Sequence, residues 1–336
     1  MKYERRDLLK IASLVQPAFV ARQAWVQKGI RTLLAVAPGL GFFVIKGDPL
    51  GVGFAFAALC LSVAYNDQTF RSIHLVSVAG AAAGLMPVAV WLHEYALLYA
   101  LGFALIGAGA VIVTRSRKLP PRVPIWCLIY VLYQSSELQS LHTAIGFATL
   151  MAPAALWTYV VCFRFWPHRS PELAKTAKGD PIGVPLHAAC AALSMAFAGA
   201  AVFAFNLSHG NWAIWSAYTV IRSNRKVSLK RSARRALGAV IGCVIGFLTI
   251  EAFRDVPAVL TVLTLLAVFF MVAFENYVLA VAVRSFLAPL AAIALHADPV
   301  STVEARFLGI AVGVTIGTLF MLLLTSRQKP TADERE

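Results

Sequence analysis

The chain has 336 residues, 59% of them apolar and only 14% charged, with a formal net charge of +14 and a mean hydropathy of +0.73. Soluble proteins carry about 25% charged residues, so this composition excludes an ordinary water-soluble globular domain. A basic excess of this size would suit a nucleic-acid partner in a soluble protein, but its distribution along this chain excludes that partner.

Residues 1–29 form a basic, partly amphipathic arm, expected to lie on the membrane surface with Lys and Arg toward anionic lipid. No cleavable signal peptide is expected, because no small-residue cleavage site follows a short apolar core. Residues 30–166 read as a first six-helix repeat, with spans near 30–46, 50–65, 72–92, 95–114, 124–135 and 141–164. A polar linker at 167–181 leads to a second repeat at 182–326, with spans near 182–206, 211–222, 232–251, 256–274, 277–295 and 304–325, and a tail at 327–336. The expected fold is an all-α integral membrane protein of about 12 transmembrane helices, arranged as two parallel six-helix repeats. Pro38, between Ala37 and Gly39, predicts a kink in the first span. The spans 50–65, 124–135 and 211–222 are short for ~30 Å of hydrocarbon. Either they are broken helices that line a cavity, or they continue through their polar ends.

Sorted by side, 26 of the 30 Lys and Arg fall together, in the arm, the tail and the loops joined to them. This segregation places both termini in the cytoplasm. The halves look related. A shift of 162 puts Gly80 and Gly84 over Gly242 and Gly246, whereas a shift of 158 puts Asn66 over Asn224. The first-half turn, residues 66–71, lacks the basic block found in the second half. Cys60, Cys127, Cys162, Cys190 and Cys243 all fall in apolar runs without paired spacing and read as small hydrophobes.

The most informative stretch runs from Asn211 to Ile250. An aromatic-rich run ends in a block carrying Arg222, Arg225, Lys226, Lys230, Arg231, Arg234 and Arg235 with no carboxylate. It reads as a helix reaching the cytoplasmic face, a basic turn and a returning helix. Gly238, Gly242 and Gly246 then recur every fourth residue, which lets another helix backbone approach closely; Gly80 and Gly84 are the corresponding packing candidates in the first half. This order resembles the membrane module of the fusaric-acid-resistance family, which includes bacterial aromatic acid exporters. The resemblance rests on Trp212, Thr219, Arg235, Leu237, Gly238, Gly242 and Gly246, with later parts of the module at 276–289 and 306–324.

Charges inside apolar spans are costly and point to function. Arg284 interrupts an apolar run and is the first candidate for binding an anion, since a guanidinium pairs a carboxylate at two points; the alternative is a structural pair with an acid. Arg306, beside Glu304, is a second candidate or a snorkelling interfacial residue. Arg234 or Arg235 is a candidate for concentrating anions at an inner vestibule. Trp212, Trp215 and Tyr218 share a helical side, as an interfacial belt or as a wall for ring-bearing substrates. Asp67, Glu137 and Glu275 are the proton-coupling candidates, and His142 is a further titratable group close to the membrane.

No phosphate loop, zinc-helix motif or nucleophile elbow occurs, so no enzyme activity, cofactor or metal site is expected. The resemblance implies a multi-pass carrier of the bacterial inner membrane that exports small organic anions such as aromatic carboxylates, with the proton gradient as the expected driving force. Many family members carry sizeable soluble domains that are not expected here, which implies an envelope or periplasmic partner as one arrangement. The family's module is also similar to that of plant malate channels, which makes a passive anion channel the alternative. A membrane scaffold is the third reading.

Overall fold

Lipid offers no hydrogen bonds, so an apolar chain in a bilayer must satisfy its backbone internally, and a helix does this within one segment. The computed structural model describes residues 22–65, 72–116, 131, 140–165, 183–207, 209–222, 225–253, 255–271, 274, 276–294 and 298–325. The expected span at 124–135 lies outside these residues apart from Val131, as do most of the arm, the linker, the tail, Cys127, Asp67, Glu137 and Glu275.

The helices are α1 (Arg22–Lys46), α2 (Pro49–Tyr65), α3 (Ser72–His93), α4 (Ala96–Ser116), α5 (Leu141–Thr149) and α6 (Met151–Tyr159). A π-helical turn, Val160–Phe165, follows α6. Then come α7 (Val184–Ala204), α8 (Asn211–Val220), α9 (Arg225–Phe253), α10 (Pro257–Phe270), α11 (Tyr277–Ala294) and α12 (Pro299–Thr325). Among the described residues, seven helices are long and apolar enough to cross a membrane. The described protein is therefore an all-α, multi-pass membrane protein.

Two boundaries differ from expectation. Helix α1 starts at Arg22, so the end of the arm is helical. The basic block after residue 222 is not a turn but the opening of α9, which starts at Arg225. Lys, Arg and Leu are good helix formers, and no Gly or Pro interrupts residues 225–237.

The described chain divides into two units, Met1–Leu33 with Leu237–Val303, and Leu34–Ala236 with Glu304–Glu336. In the first, α10 packs against α11 around Ile250, Leu260 and Leu290. The glycine stripe of α9 faces α11. A Cβ built on Gly238 would lie 2.6 Å from the Val278 carbonyl oxygen, one on Gly242 would overlap the Ala282 carbonyl oxygen, and one on Gly246 would lie 2.9 Å from Pro289 Cγ. Asn276 and Asp298 open α11 and α12 by accepting from the Val278 N–H at 2.9 Å and the Ser301 N–H at 2.8 Å. The Ser301 N–H foremost, with the Val300 N–H that donates to Asp298 Oδ1 at 3.3 Å, holds the Asp298 carboxyl below the usual range.

In the second unit α4 packs along α7, α3 along α5 and α6, and α2 along α6. Their shared core includes Leu61, Met86, Tyr99, Phe103, Met151 and Met195. Helix α1 runs on through Pro38. A proline at 38 has no N–H for the carbonyl four residues back, at Leu34. The Trp157 indole N–H donates to that carbonyl at 3.0 Å, so a side chain of α6 replaces the missing backbone donor. Gly80 and Gly84, read as packing residues, are instead exposed on α3, and a Cβ on either meets nothing within 4 Å among the described residues. The spacing supplies a smooth helix face, but no described helix lies against it. Cys60, Cys162, Cys190 and Cys243 are buried.

A buried ten-residue helix as the candidate site

Helix α8 has 10 residues, so at 1.5 Å per residue it is about 15 Å long. That is half the hydrocarbon thickness of ~30 Å. All its residues are buried except Trp212, which is half-buried. It ends where Ile221 turns extended, at φ −71° and ψ 127°. The turn before it places Asn206 and His209 in the left-handed region. Gly210 sits so close to Val202 of α7 that a Cβ would overlap that side chain.

A helix that ends inside a protein leaves carbonyls at its C-terminus that water cannot reach. The opening of α9 supplies donors for this end. Arg231 Nε donates to the Thr219 carbonyl oxygen at 2.9 Å, and Arg235 Nε donates to Ser216 Oγ at 3.0 Å. Cations also suit the negative end of the helix dipole. The Arg222 N–H donates to Ser228 Oγ at 2.9 Å, and Ser232 Oγ shares a hydrogen bond with Thr318 Oγ1 of α12 at 2.7 Å. The inward face of α9 thus reads Ser228, Arg231, Ser232 and Arg235, a helical i, i+3, i+4, i+7 set. Arg225, Lys226, Lys230 and Arg234 are exposed. Of the two arginines expected at a vestibule, Arg235 is buried and Arg234 faces outward.

Helix α12 closes the other side with a second glycine stripe, Gly309, Gly313 and Gly317, at the same four-residue spacing as the first. A Cβ on Gly309 would lie 2.8 Å from Trp212 Cβ, one on Gly317 would lie 2.5 Å from the Ala217 carbonyl oxygen, and one on Gly313 would overlap the Ala213 carbonyl oxygen. Sequence reading missed this stripe, although its spacing is as plain as that of Gly238, Gly242 and Gly246. Arg306 precedes it by three residues and so shares its face. Rather than snorkelling, Arg306 is 3% exposed, and its Cζ lies 3.6 Å from the centre of the Trp212 ring. Such a cation–π contact strengthens when desolvated.

The structure therefore joins Arg306 with Trp212, and Arg235 with Ser216. Trp215 and Tyr218 pack on each other, with ring centroids 6.3 Å apart, and both are buried. That burial excludes a lipid-facing belt for this pair. Arg284 is half-buried on α11, in the other unit. A residue that sequence reading passed over stands at the start of α8. Asn211 is 3% exposed; its Oδ1 accepts from the Trp212 N–H at 2.9 Å, while its Nδ2 has no hydrogen-bond partner.

Residues 196–320 match the family model described as fusaric acid resistance protein-like. Comparison with curated proteins and with solved structures gives no match. The matched stretch holds α8, the inward arginines of α9 and both glycine stripes, and over these residues the chain is similar to the fusaric acid resistance protein-like family.

Proposed function

We propose that the protein is a transporter of the bacterial inner membrane that exports small organic anions, aromatic carboxylates foremost, at the expense of the proton gradient. One observation carries the reading: a buried half-length helix with arginines at both ends, Arg306 at its start and Arg231 and Arg235 at its finish. Half-helices inside a membrane are costly unless they serve a cavity or a bound solute, and their ends are where transporters hold charged substrates. Guanidinium groups at both ends favour an anion over a cation or a neutral solute.

A two-repeat architecture accompanies this reading. It is supported by element starts that recur after about half the chain, with Arg22 against Val184, Pro49 against Asn211 and Ala96 against Pro257. The segregation of 26 of 30 Lys and Arg supports cytoplasmic termini. Counterflow in proteoliposomes tests the function. Labelled benzoate should exchange against internal benzoate, and an imposed pH gradient should drive its accumulation. Flux that follows membrane potential and ignores the pH gradient would mark a passive channel instead. No flux for any of a panel of aromatic and aliphatic carboxylates would refute the proposal.

A further inference from the structure

The start of α8 is polar in a way that its fold does not require. Trp212 and Ala213 turn their N–H groups back onto His209, Gly210 and the Asn211 side chain, so the backbone of the first turn is largely satisfied. The Asn211 carboxamide is held by that bond through Oδ1. This fixes Nδ2 at the helix start, beside Trp212, where it is buried and has no partner. Packing alone would be served better by an apolar residue or by a serine cap, since a buried unmet donor is destabilising. Arg306 lies over the same Trp212 ring, equally buried. A guanidinium placed on an aromatic face holds its N–H groups in its own plane, the geometry that pairs a carboxylate at two points. The positive end of the α8 dipole adds to both.

We infer that the start of α8 is a carboxylate-binding site, in which Arg306 pairs the carboxylate, Asn211 Nδ2 donates to it and Trp212 lies alongside. This rests on the reading of the protein as an organic-anion transporter and names where the anion is held. Benzoate is the carboxylate probe. Benzamide, of the same shape but neutral, and inorganic phosphate, an anion of different shape, are the controls.

The decisive variant is Asn211→Asp. It keeps Oδ1 for the Trp212 N–H and puts a fixed negative charge where the bound anion's oxygen would lie, so it should fold while repelling benzoate. Arg306→Lys keeps the charge but loses the planar fork. With the full-length protein in detergent, benzoate should raise the Tm of the wild type, while benzamide and phosphate should not. In Asn211→Asp the benzoate shift should vanish and the affinity fall by at least about tenfold; Arg306→Lys should lose about tenfold. If either variant fails to fold, the other decides. A folded Asn211→Asp or Arg306→Lys that binds benzoate as the wild type does would overturn the inference, as would equal stabilisation by phosphate. Flux separates this inference from the transport reading. Wild-type carboxylate flux that both variants retain defeats the site alone. Benzoate binding that depends on Asn211, in a protein that moves no carboxylate, defeats the transport reading alone.

Discussion

Replacing single glycines by alanine on α12 and on α3 should change stability in opposite directions. In a helix interior this replacement is favourable by roughly 0.5–1 kcal/mol, because glycine loses more backbone freedom on folding. At Gly80 nothing lies within 4 Å of the added Cβ, so Gly80→Ala should keep that gain. At Gly313 the Cβ overlaps the Ala213 carbonyl oxygen and lies 2.7 Å from Ser216 Cβ. A backbone oxygen cannot rotate aside, so α12 and α8 must part, and a separation of about 0.5–1 Å forfeits a quarter to a half of each contact along the seam. Overpacking of this kind costs about 1–3 kcal/mol, and because both variants share the helix gain, they should differ by about 1–3 kcal/mol. Thermal unfolding of both purified proteins in one detergent, followed by intrinsic fluorescence, measures the difference. Equal stability of the two variants, or a more stable Gly313→Ala, would refute the close approach of α12 to α8.

Trp157→Phe leaves the Leu34 carbonyl without its indole donor and should cost about 1–3 kcal/mol. Pro38→Ala restores a backbone donor, so the double variant should recover most of the loss; a purely additive double variant would disprove the substitution of one donor for the other. Asp298 has its carboxyl lowered by the Ser301 and Val300 N–H groups, so its capping contribution is present above the unfolded-state pKa and is lost as pH falls through the lower folded-state value. Protection against hydrogen exchange at the start of α12, relative to the intrinsic rate at each pH, should therefore fall in acid in the wild type, and at neutral pH in Asp298→Ala; unchanged protection in that variant would exclude the cap. Under the proposed orientation a cysteine at exposed Lys230 should react from the cytoplasmic side and one at exposed Asn206 from the opposite side; reaction of both from one side would overturn that orientation.

The helical class was legible from composition, and most spans from their apolar runs. What was not legible arises between segments. Arg306 and Trp212 each stood out in sequence, but nothing local shows that a residue of α12 lies on a ring of α8. The inward turn of Arg231 and Arg235 was closer to legible, because Ser228, Arg231, Ser232 and Arg235 share one face of a helix. Reading the block as a turn removed the periodicity that would have separated those arginines from Lys226, Lys230 and Arg234. Asn211 escaped notice for a different reason. Asparagine at a helix start is ordinary capping, and only its burial with an unmet Nδ2 sets it apart. Gly80 and Gly84 warn in the other direction: four-residue spacing makes a smooth face but does not say that a partner lies on it.

The basic block then has two roles that one topological reading merges. Arg225, Lys226, Lys230 and Arg234 are exposed, and four cations beside an apolar helix are enough to bias its orientation. Arg231 and Arg235 do something that charge counting does not require, because they reach the last turns of a helix that stops inside the protein. The two halves of the chain differ at this point. Helix α2, which the proposed repeat sets against α8, has 17 residues, about 25 Å at 1.5 Å per residue. The sequence after it, residues 66–71, carries one arginine where the second half carries seven basic residues. A helix of that length comes close to spanning the hydrocarbon, whereas α8 stops well short of it, and the donors for its end come from the next helix in sequence. The length of α8 and the composition of α9 are therefore one feature. Shortening the helix without Arg231 would strand the Thr219 carbonyl, and without the short helix Arg231 and Arg235 would lose the carbonyl and the Ser216 hydroxyl that they bind.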